Sequence, residues 1–544
     1  ATGRSDPNYR EVTVTLNRRT PEVGPRISDY QTTFFDYRVG ARGGITETID
    51  WNIEGAYGES ENVQTIQNYT LQSRFRQGTL VNGTVANPVC QDPSNGCVPV
   101  NIFGPEGSIS PAAAAFLSEN SSTTNRTALS QVRAIISGDL GFTSPGAVQP
   151  IGFALGAEYR KYTAQQASDT LAKTPGELGG AGGAAPDIDG KYDVYEAYAE
   201  VVAPLIEDKP FFESLTLEAG IRYSDYSIAG GSGYDTWTWK AGGSWEPGAG
   251  VKIRGNYSRA VRAPNIGELF TPLSVGLTNL GIDPCAGNAP VANANLRAVC
   301  IAQGAPVGTI GSITNPTAAQ ANINAGGSLA LQPEKANTWT IGAVFQPDFL
   351  PRFNLSIDYY NIKIDNVIGA PLPGDIISAC FGTVTAASAA DPACTIIRRN
   401  PTTGGLDGDP ATTPGLFGQT NNNGRLFTDG IDLLMNYNMD LGFASLDWSF
   451  VGNWTHSSKF KSDVNLASSL NRECVGYYSV NCSFTGSIQP EYQFSNRFTL
   501  GFDKIDLSLL WRWQDSVSFE PAQLQADLDA AIDAGVDPVN GCPD

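Results

Sequence analysis

The sequence between residues 194 and 270 repeats one pattern in four consecutive segments, in which apolar and polar side chains alternate. In residues 215–223, Leu217 and Ile221 fall on one face of an extended chain, and Glu218 and Arg222 fall on the other. Residues 251–257 follow the same order. Such alternation with a period of two predicts β-strands with one apolar and one charged face, and the charged face requires water.

Composition excludes several classes of protein. No stretch approaches the roughly 18 apolar residues of a membrane-spanning helix, which excludes a helical membrane protein. The net charge of −20 leaves no basic surplus for nucleic-acid phosphates, so no nucleic-acid partner is expected. The single histidine, His456, excludes a histidine metal cluster, and we expect it to end a strand. The sequence contains no phosphate-binding glycine loop and no nucleophile elbow, so we expect no enzyme, cofactor or metal.

Strand-like segments run along the whole sequence, and no linker divides them. We predict about fifteen strands, near residues 9–19, 29–39, 48–57, 127–140, 149–162, 191–204, 213–228, 234–245, 251–262, 336–345, 352–365, 425–437, 442–455, 491–502 and 504–515. From residue 48 onward their connections alternate between long and short, except for the brief turn 229–233 on the long-loop side. This asymmetry predicts an all-β fold, a transmembrane antiparallel up-and-down β-barrel with short periplasmic turns and long extracellular loops.

Eight of the nine cysteines fall into local pairs within long connections. The pairs are Cys90 with Cys97, Cys285 with Cys300, Cys380 with Cys394, and Cys474 with Cys482. Local disulfides are the simplest connectivity, although the sequence alone leaves others open, and they indicate an oxidising compartment. The alternative, metal ligation, lacks both CxxC spacing and histidines. Cys542 is left over, and we expect its partner beyond residue 544.

Segment 187–193 contains three aspartates and a glycine, a combination superficially similar to a calcium loop. A solvated turn before a strand is the preferred interpretation, because closely spaced aspartates are common in such turns. We therefore predict no metal site there.

Three runs resemble the barrel of TonB-dependent outer-membrane receptors, in the same order and spacing. They are residues 257–270 (YSRAVRAPNIGELF), 331–342 (LQPEKANTWTIG) and 427–432 (FTDGID). Residues 192–204 and 217–226 are similar to the alphaproteobacterial branch found in sphingomonads and caulobacters, whose loops bear disulfides.

The resemblance implies a 22-stranded barrel in a Gram-negative outer membrane, occluded by an N-terminal plug and energised by TonB. It also implies uptake of a scarce nutrient such as a siderophore, saccharide, peptide or vitamin. The expected partners are outer-membrane lipid, TonB through an N-terminal segment outside this sequence, and the nutrient, while a surface lipoprotein or oligomerisation is left open. Residues 1–544 are expected to form a single barrel domain, incomplete at both ends and without the plug. The alternative is a passive porin-like channel or a structural or adhesive barrel.

The first run suggests a charged cluster. Arg259 and Arg262 precede Pro264, which stops regular strand pairing, so the chain is expected to turn inward or over the rim. We expect Glu268 and Glu334 to pair with both arginines in a lumenal ion-pair network, and the alternative is plain packing at the rim.

The ligand-binding residues are not predicted by the sequence. The loops are rich in polar amides, as at Asn279 and in Asn421-Asn-Asn-Gly424, with Tyr477 and Tyr478 nearby. These side chains suit a saccharide or peptide as well as a siderophore.

Overall fold

A computed structural model describes residues 18–466, 471–478, 482 and 488–519. Strands dominate it. In chain order they are β1 Ile27–Gly44, β2 Ile49–Thr70, β3 Val81–Thr84, β4 Asn87–Cys90, β5 Ser118–Thr143, β6 Pro150–Ser168, β7 Ile188–Lys209, β8 Phe212–Ile228, β9 Tyr234–Gly248, β10 Val251–Arg262, β11 Ser274–Asn279, β12 Gln320–Ala325, β13 Glu334–Phe345, β14 Phe353–Gly369, β15 Ile397–Arg398, β16 Gly415–Phe417, β17 Asn421–Asp440, β18 Ser445–Lys461, β19 Arg472–Glu473, β20 Tyr477–Tyr478, β21 Tyr492–Gly501, β22 Asp506–Gln514 and β23 Ser518–Phe519.

The helices are short and lie in the connections. They are α1 Gln72–Thr79, α2 Pro111–Leu117, α3 Thr170–Lys173, α4 Ile266–Phe270, α5 Ala289–Ala292, α6 Ala294–Ala302, α7 Pro373–Phe381 and α8 Pro392–Thr395, with 3-10 turns at Pro21–Val23, Ser94–Gly96, Val307–Thr309, Thr317–Ala319 and Ser388–Ala390. Within the described part of the chain, no helix has both the length and the apolar character needed to cross a membrane.

One large sheet contains the long strands in chain order. Its order is β1-β2-β5-β6-β7-β8-β9-β10-β13-β14-β17-β18-β21-β22, and β19 pairs only with β18. Short turns and long connections alternate between its two ends, with the turn 229–233 at the long-connection end. The predicted up-and-down strand order is therefore confirmed from residue 29 onward, whereas the predicted segment 9–19 lies mostly outside the described residues.

Several strands extend further toward the long connections than predicted. The strand predicted at 48–57 continues to Thr70 in β2, and β5 begins at Ser118 rather than 127. Residues 118–126 are polar at almost every position, so they carry no period-two signal. Backbone pairing extends these strands where side-chain alternation has ended.

The single histidine does not end a strand. His456 lies inside β18, where Asp429 pairs with Ser457 and Gly430 pairs with Thr455, leaving His456 as the extra residue of a β-bulge. The prediction was wrong because the strand continues to Lys461 with its pleat displaced by one residue.

Exposure along β8 is the reverse of that in a soluble protein. Leu217 and Ile221 are 48% and 49% exposed, whereas Ser224 on the other face is 2% exposed. Glu196 of β7, which pairs with Ser224, is also buried. We call these two surfaces the apolar face and the polar face of the sheet. The alternation predicted from the sequence is thereby confirmed, with the apolar side chains facing the surroundings.

The chain divides into two compact units. Among the described residues, the first consists of 18–32, Asn62–Thr124 and Ser168–Ala185, and the second of the rest. The first unit has its own apolar core, formed by α2 and the loop before it, with Val100, Ile109, Phe116 and Leu117 buried.

The second unit contains most of the large sheet and a folded loop module. In this module β11, β12, β16 and β15 form a four-stranded sheet over a core that includes Val299, Ile376, Ile397 and Leu416. The connections 263–333 and 370–420 both contribute to this core. Long loops of this kind need their own core or cross-links to stay ordered.

Candidate functional site

A charged cluster lies on the polar face of β6, β7 and β8, and we call it the wall cluster. It consists of Glu158, Arg160, Glu196 and Arg222. The register places Glu158 directly opposite Glu196, an arrangement of like charges that destabilises a sheet unless cations separate them. The Arg222 guanidinium does so, with Nη2 3.0 Å from Glu158 Oε2 and Nε 3.0 Å from Glu196 Oε1.

The remaining contacts fix Glu196 at the centre of the wall cluster. Arg160 also donates to Glu196, and the Ser224 hydroxyl donates to Glu196 Oε1 over 2.6 Å. The Glu196 side chain is only 3% exposed, so its charge depends on these donors. The side chains of Arg160 and Arg222 are 26% and 33% exposed and remain accessible from the polar face.

A recess of about 550 Å³ surrounds the wall cluster. Tyr198 lies under the Arg222 guanidinium, 4.9 Å from it, and Lys240 pairs with Glu200 at 3.1 Å on the same face. Such a surface, with cations, carboxylates and phenol rings together, binds polar or charged molecules through hydrogen bonds and contacts to ring faces.

Paired charges continue along the polar face beyond the wall cluster. Arg254 of β10 pairs with Asp358 of β14 at 2.6 Å, and Asn453 of β18 donates to Asp432 of β17 at 2.8 Å. A second recess of about 710 Å³ is lined by Asp358, Asp432, Asn453 and Arg512. Arg160, Arg222, Lys240 and Arg254 therefore each lie next to a carboxylate.

A second cluster lies where β10 ends, and we call it the rim cluster: Arg262, Glu268 and Glu334. Arg262 and Glu334 are cross-strand neighbours in the register of β10 and β13. Arg262 binds Glu334 through two contacts of 2.7 and 2.8 Å, and Glu268 through two of 3.0 and 3.1 Å. Both predicted glutamates thus bind one arginine in a forked geometry.

Pro264 and Asn265 explain why the chain turns at this point. β10 ends at Arg262, two residues before Pro264, which cannot donate to a ladder. Asn265 then caps α4, since its side chain accepts from Glu268 N and Glu268 Oε2 accepts from Asn265 N, both at 2.8 Å. Glu268 therefore serves both the helix cap and the ion pair.

Helix α4 packs on the polar face of β7, three strands away from β10 in the sheet order. Gly190 makes this approach close, because a Cβ there would lie 2.5 Å from Ile266 Cγ2 and from the Phe270 ring. Leu269 is buried with Ile228, Leu331 and Ile368. The chain after Arg262 accordingly crosses the polar face.

The expectation for Arg259 was wrong. Arg259 donates to Asn337, 3.0 Å away, and within the described residues both carboxylates of the rim cluster pair with Arg262 instead. The reason is the pleat: Arg259 and Arg262 are three residues apart, so they point to opposite faces of the strand. Arg259 shares the apolar face with Tyr257, which is 43% exposed.

Other residues marked by the sequence have structural contacts. Asn422 accepts from Gln332 N and donates to Gln332 O, both at 2.7 Å, so its amide joins segment 421–424 to the family-like run 331–342. Asn279 ends β11, and Tyr478 packs against Phe519 with ring centroids 5.3 Å apart. Segment 187–193 largely belongs to β7, and in the described part of the chain no three carboxylate, histidine or cysteine side chains converge on a metal position.

The structure contains all four predicted disulfides, Cys90–Cys97, Cys285–Cys300, Cys380–Cys394 and Cys474–Cys482. Cys542 lies outside the described residues. Two of these bridges lie in the loop module, where Arg399 and Asp283 form an ion pair at 2.6 Å with both side chains fully buried. Arg399 also donates to Gln303 Oε1 and Gly404 O.

Sequence reasoning missed most of the wall cluster. Arg222 was placed on a charged face, but Glu158, Arg160 and Glu196 were not singled out. A signal was available, because each of these four residues alternates in step with the polar side chains of its predicted strand, and the three strands follow one another in the sequence. The missing information was the register, which depends on turn lengths that the sequence does not define to one residue.

Comparison with known proteins agrees with the resemblance found in residues 257–270, 331–342 and 427–432. Residues 2–533 match the family model described as TonB dependent receptor-like, beta-barrel. No curated protein matches the sequence.

Solved structures cover the chain at low identity. The siderophore receptor PirA from Acinetobacter baumannii is 15% identical, with 91% of this chain and 52% of that chain covered and a TM-score of 0.48. A ferric enterobactin receptor (PfeA) mutant from Pseudomonas aeruginosa is 14% identical, with 89% and 49% covered and a TM-score of 0.48. The RagAB peptide transporter is 9% identical, with 90% and 48% covered and a TM-score of 0.49. The chain thus spans about half the length of these structures.

Proposed function

Because the chain belongs to the TonB-dependent receptor-like β-barrel family, we propose that it forms barrel wall and extracellular loops of an active uptake receptor. An outer-membrane location follows from the family. The proposed cargo is a small polar nutrient, of the siderophore, saccharide, peptide or vitamin class.

The observation that carries the proposal is the charge distribution over the sheet. The apolar face exposes Leu217 and Ile221, as contact with lipid requires, while the polar face holds Glu196 and Arg222 beside a recess of about 550 Å³. A wall of paired charges offers hydrogen bonds to a passing ligand at many positions. None of the paired charges on this wall is isolated and buried, an arrangement that would be costly in free energy.

The rim cluster has a positioning role in this proposal. Arg262 joins the end of β10, the start of β13 and the first turn of α4 through its two glutamates. It thereby holds α4 on the polar face, next to the path that a ligand would take along the wall.

The remaining parts of the proposal concern the whole receptor. Residues 1–544 would form a single barrel domain, combined in the complete receptor with a plug and with a segment that contacts TonB. Outer-membrane lipid and the nutrient are the other proposed partners. The chain would act as a receptor without catalytic activity.

Uptake in cells with and without TonB tests the proposal. The full-length receptor is expressed in an outer membrane, and uptake of labelled ferric enterobactin, cyanocobalamin, maltoheptaose and a pentapeptide is measured. Active import predicts that uptake of at least one probe disappears in the TonB-deficient strain. Uptake that persists there, together with open-pore conductance in planar bilayers, would establish the porin-like alternative.

A matched pair of variants connects this test to the wall cluster. Arg222→Met removes the cation between Glu158 and Glu196, and is expected to reduce TonB-dependent uptake at equal surface level. Ile221→Leu, the neighbouring residue on the apolar face, is expected to leave uptake unchanged.

A further inference from the structure

Five cations lie together on the apolar face of β13, β14, β17 and β18, at their long-connection ends. We call them the basic collar: Lys335, Lys363, Arg425, Lys459 and Lys461. The register makes them neighbours, because Lys335 pairs with Asp365, Asp365 pairs with Arg425, and Arg425 pairs with Lys461. Lys459 lies opposite Phe427, two residues from Arg425, and Lys363 lies two residues from Asp365.

The pleat places the collar on the lipid-facing side. Lys335 has the parity of Trp339, which is 42% exposed, and Lys363 has the parity of Tyr359, whose ring lies 5.0 Å from that of Trp339. Glu334, one residue from Lys335, points to the polar face and binds Arg262.

The β-bulge at His456 brings the lysines of β18 to the same side. Beyond the bulge Ser458 and Phe460 are 3% and 1% exposed on the polar face, so Lys459 and Lys461 face the other way. Without the extra residue, both lysines would point into the packed polar face.

The collar has a surplus of positive charge. On this face of the four strands and of β19, five cations meet three carboxylates: Asp365, Asp429 and Glu473. Asp365 pairs with Lys363 and Arg425, Asp429 binds Tyr359 and His456, and Glu473 accepts from Ser457 and Ser458. Within the described residues, Lys335, Lys459 and Lys461 form no ion pair. This basic surface belongs to a chain with a net charge of −20.

The position of the basic collar along the strands indicates which kind of partner it binds. Lys335 and Lys363 lie four residues beyond Trp339 and Tyr359, about 13 Å along a strand and about 10 Å along the membrane normal at the usual tilt. Because exposed aromatic rings mark the membrane interface, the collar lies at the height of the lipid head groups. A head group that presents phosphates there would meet at least three cations not engaged in ion pairs.

We propose that the basic collar binds the phosphate groups of an anionic glycolipid head group in the outer leaflet. This site is on the outside of the sheet and does not depend on the uptake proposed above. Each lysine near an anionic lipid surface contributes about 1 kcal/mol, so loss of two lysines should weaken binding on the order of 30-fold.

The test uses the full-length receptor in a non-ionic detergent and native mass spectrometry with bisphosphorylated lipid A as the probe. Lys459→Gln with Lys461→Gln is compared with Lys161→Gln with Lys191→Gln. The control lysines have apolar-face parity at the same end of β6 and β7, where Lys161 lies opposite Asp193. Both variants remove two charges, and Lys459→Arg with Lys461→Arg keeps the charge.

The proposal predicts about 30-fold weaker binding for the first variant, less than threefold for the control, and retention in the arginine variant. Equal binding by the wild type and the first variant would overturn it, as would equal loss in the control. Dephosphorylated lipid A that binds as tightly as the phosphorylated form would show that phosphate is not recognised. Displacement of the lipid by inorganic phosphate at the same concentration would indicate a free-anion site instead of a head-group site.

Discussion

Replacing Arg262 with methionine removes the one positive charge of the rim cluster but keeps most of the side-chain volume. Glu334, whose side chain is 10% exposed, would lose two contacts and keep one donor, the N–H of Ile368 at 2.8 Å. Breaking a buried ion pair on one side costs about 3–5 kcal/mol, but Arg262 is 45% exposed and water screens the loss. We therefore expect a local loss of about 2 kcal/mol.

Amide hydrogen exchange measures this loss where it occurs. In peptides spanning 366–370 and 265–271, about 2 kcal/mol corresponds to exchange roughly 30-fold faster than in the wild type. Adding Glu334→Gln to Arg262→Met should recover about 1 kcal/mol, since the orphaned carboxylate is then neutral.

Arg259→Met is the matched control, because Arg259 lies three residues away on the opposite face and binds only Asn337 among the described residues. Its exchange at 366–370 is expected to stay within twofold of the wild type. Equal exchange in the Arg262 and Arg259 variants would refute the reasoning, and α4 would then be held by packing alone.

Three further predictions concern the rest of the chain. Arg399→Met leaves Asp283 buried and unpaired, so the loop module should lose about 3–5 kcal/mol and become sensitive to limited proteolysis while the large sheet stays resistant. Gly430→Ala should prevent folding, as a heat-modifiability gel would show, because its Cβ would lie 2.3 Å from Trp454 O, whereas Gly255→Ala, with 3.6 Å to Thr340 O, should fold. The backbone N–H of Glu22 itself, then those of Gly107 and Ile109, and the Arg18 side chain lower the pKa of Glu22, so this carboxylate stabilises its loop above the unfolded pKa of about 4.3. That contribution should disappear as pH falls through the lower folded pKa. Exchange at Gly107, measured relative to the intrinsic rate at each pH, should thus become less protected below about pH 4 in the wild type, and Glu22→Gln should abolish that loss of protection.

The strands and their turns were predictable because the pattern that identifies a strand lies in residues that are neighbours in the sequence. The alternation in residues 215–223 needs no partner strand to be recognised, and short turns such as Asp208 to Phe211 leave few ways to connect two strands. The disulfides were predictable for a related reason, since their partners are 7 to 15 residues apart.

Contacts between distant segments were beyond that reasoning. Gly190 and Ile266 are 76 positions apart in the sequence, and nothing local in either indicates that α4 lies on β7. The pairing of Asp283 with Arg399 is equally remote, as is the register that joins Glu158 to Glu196. The error at Arg259 was different in kind, because counting parity along β10 would have avoided it.

The four bridges have a consequence for biogenesis. Each one closes within a single connection and encloses none of the long strands of the large sheet. Disulfide formation in the periplasm therefore links no hairpin to another. The disulfide of a loop can form before, during or after its flanking strands enter the bilayer. An assembly machine that inserts hairpins one after another meets the same order of strands in the oxidised and the reduced chain.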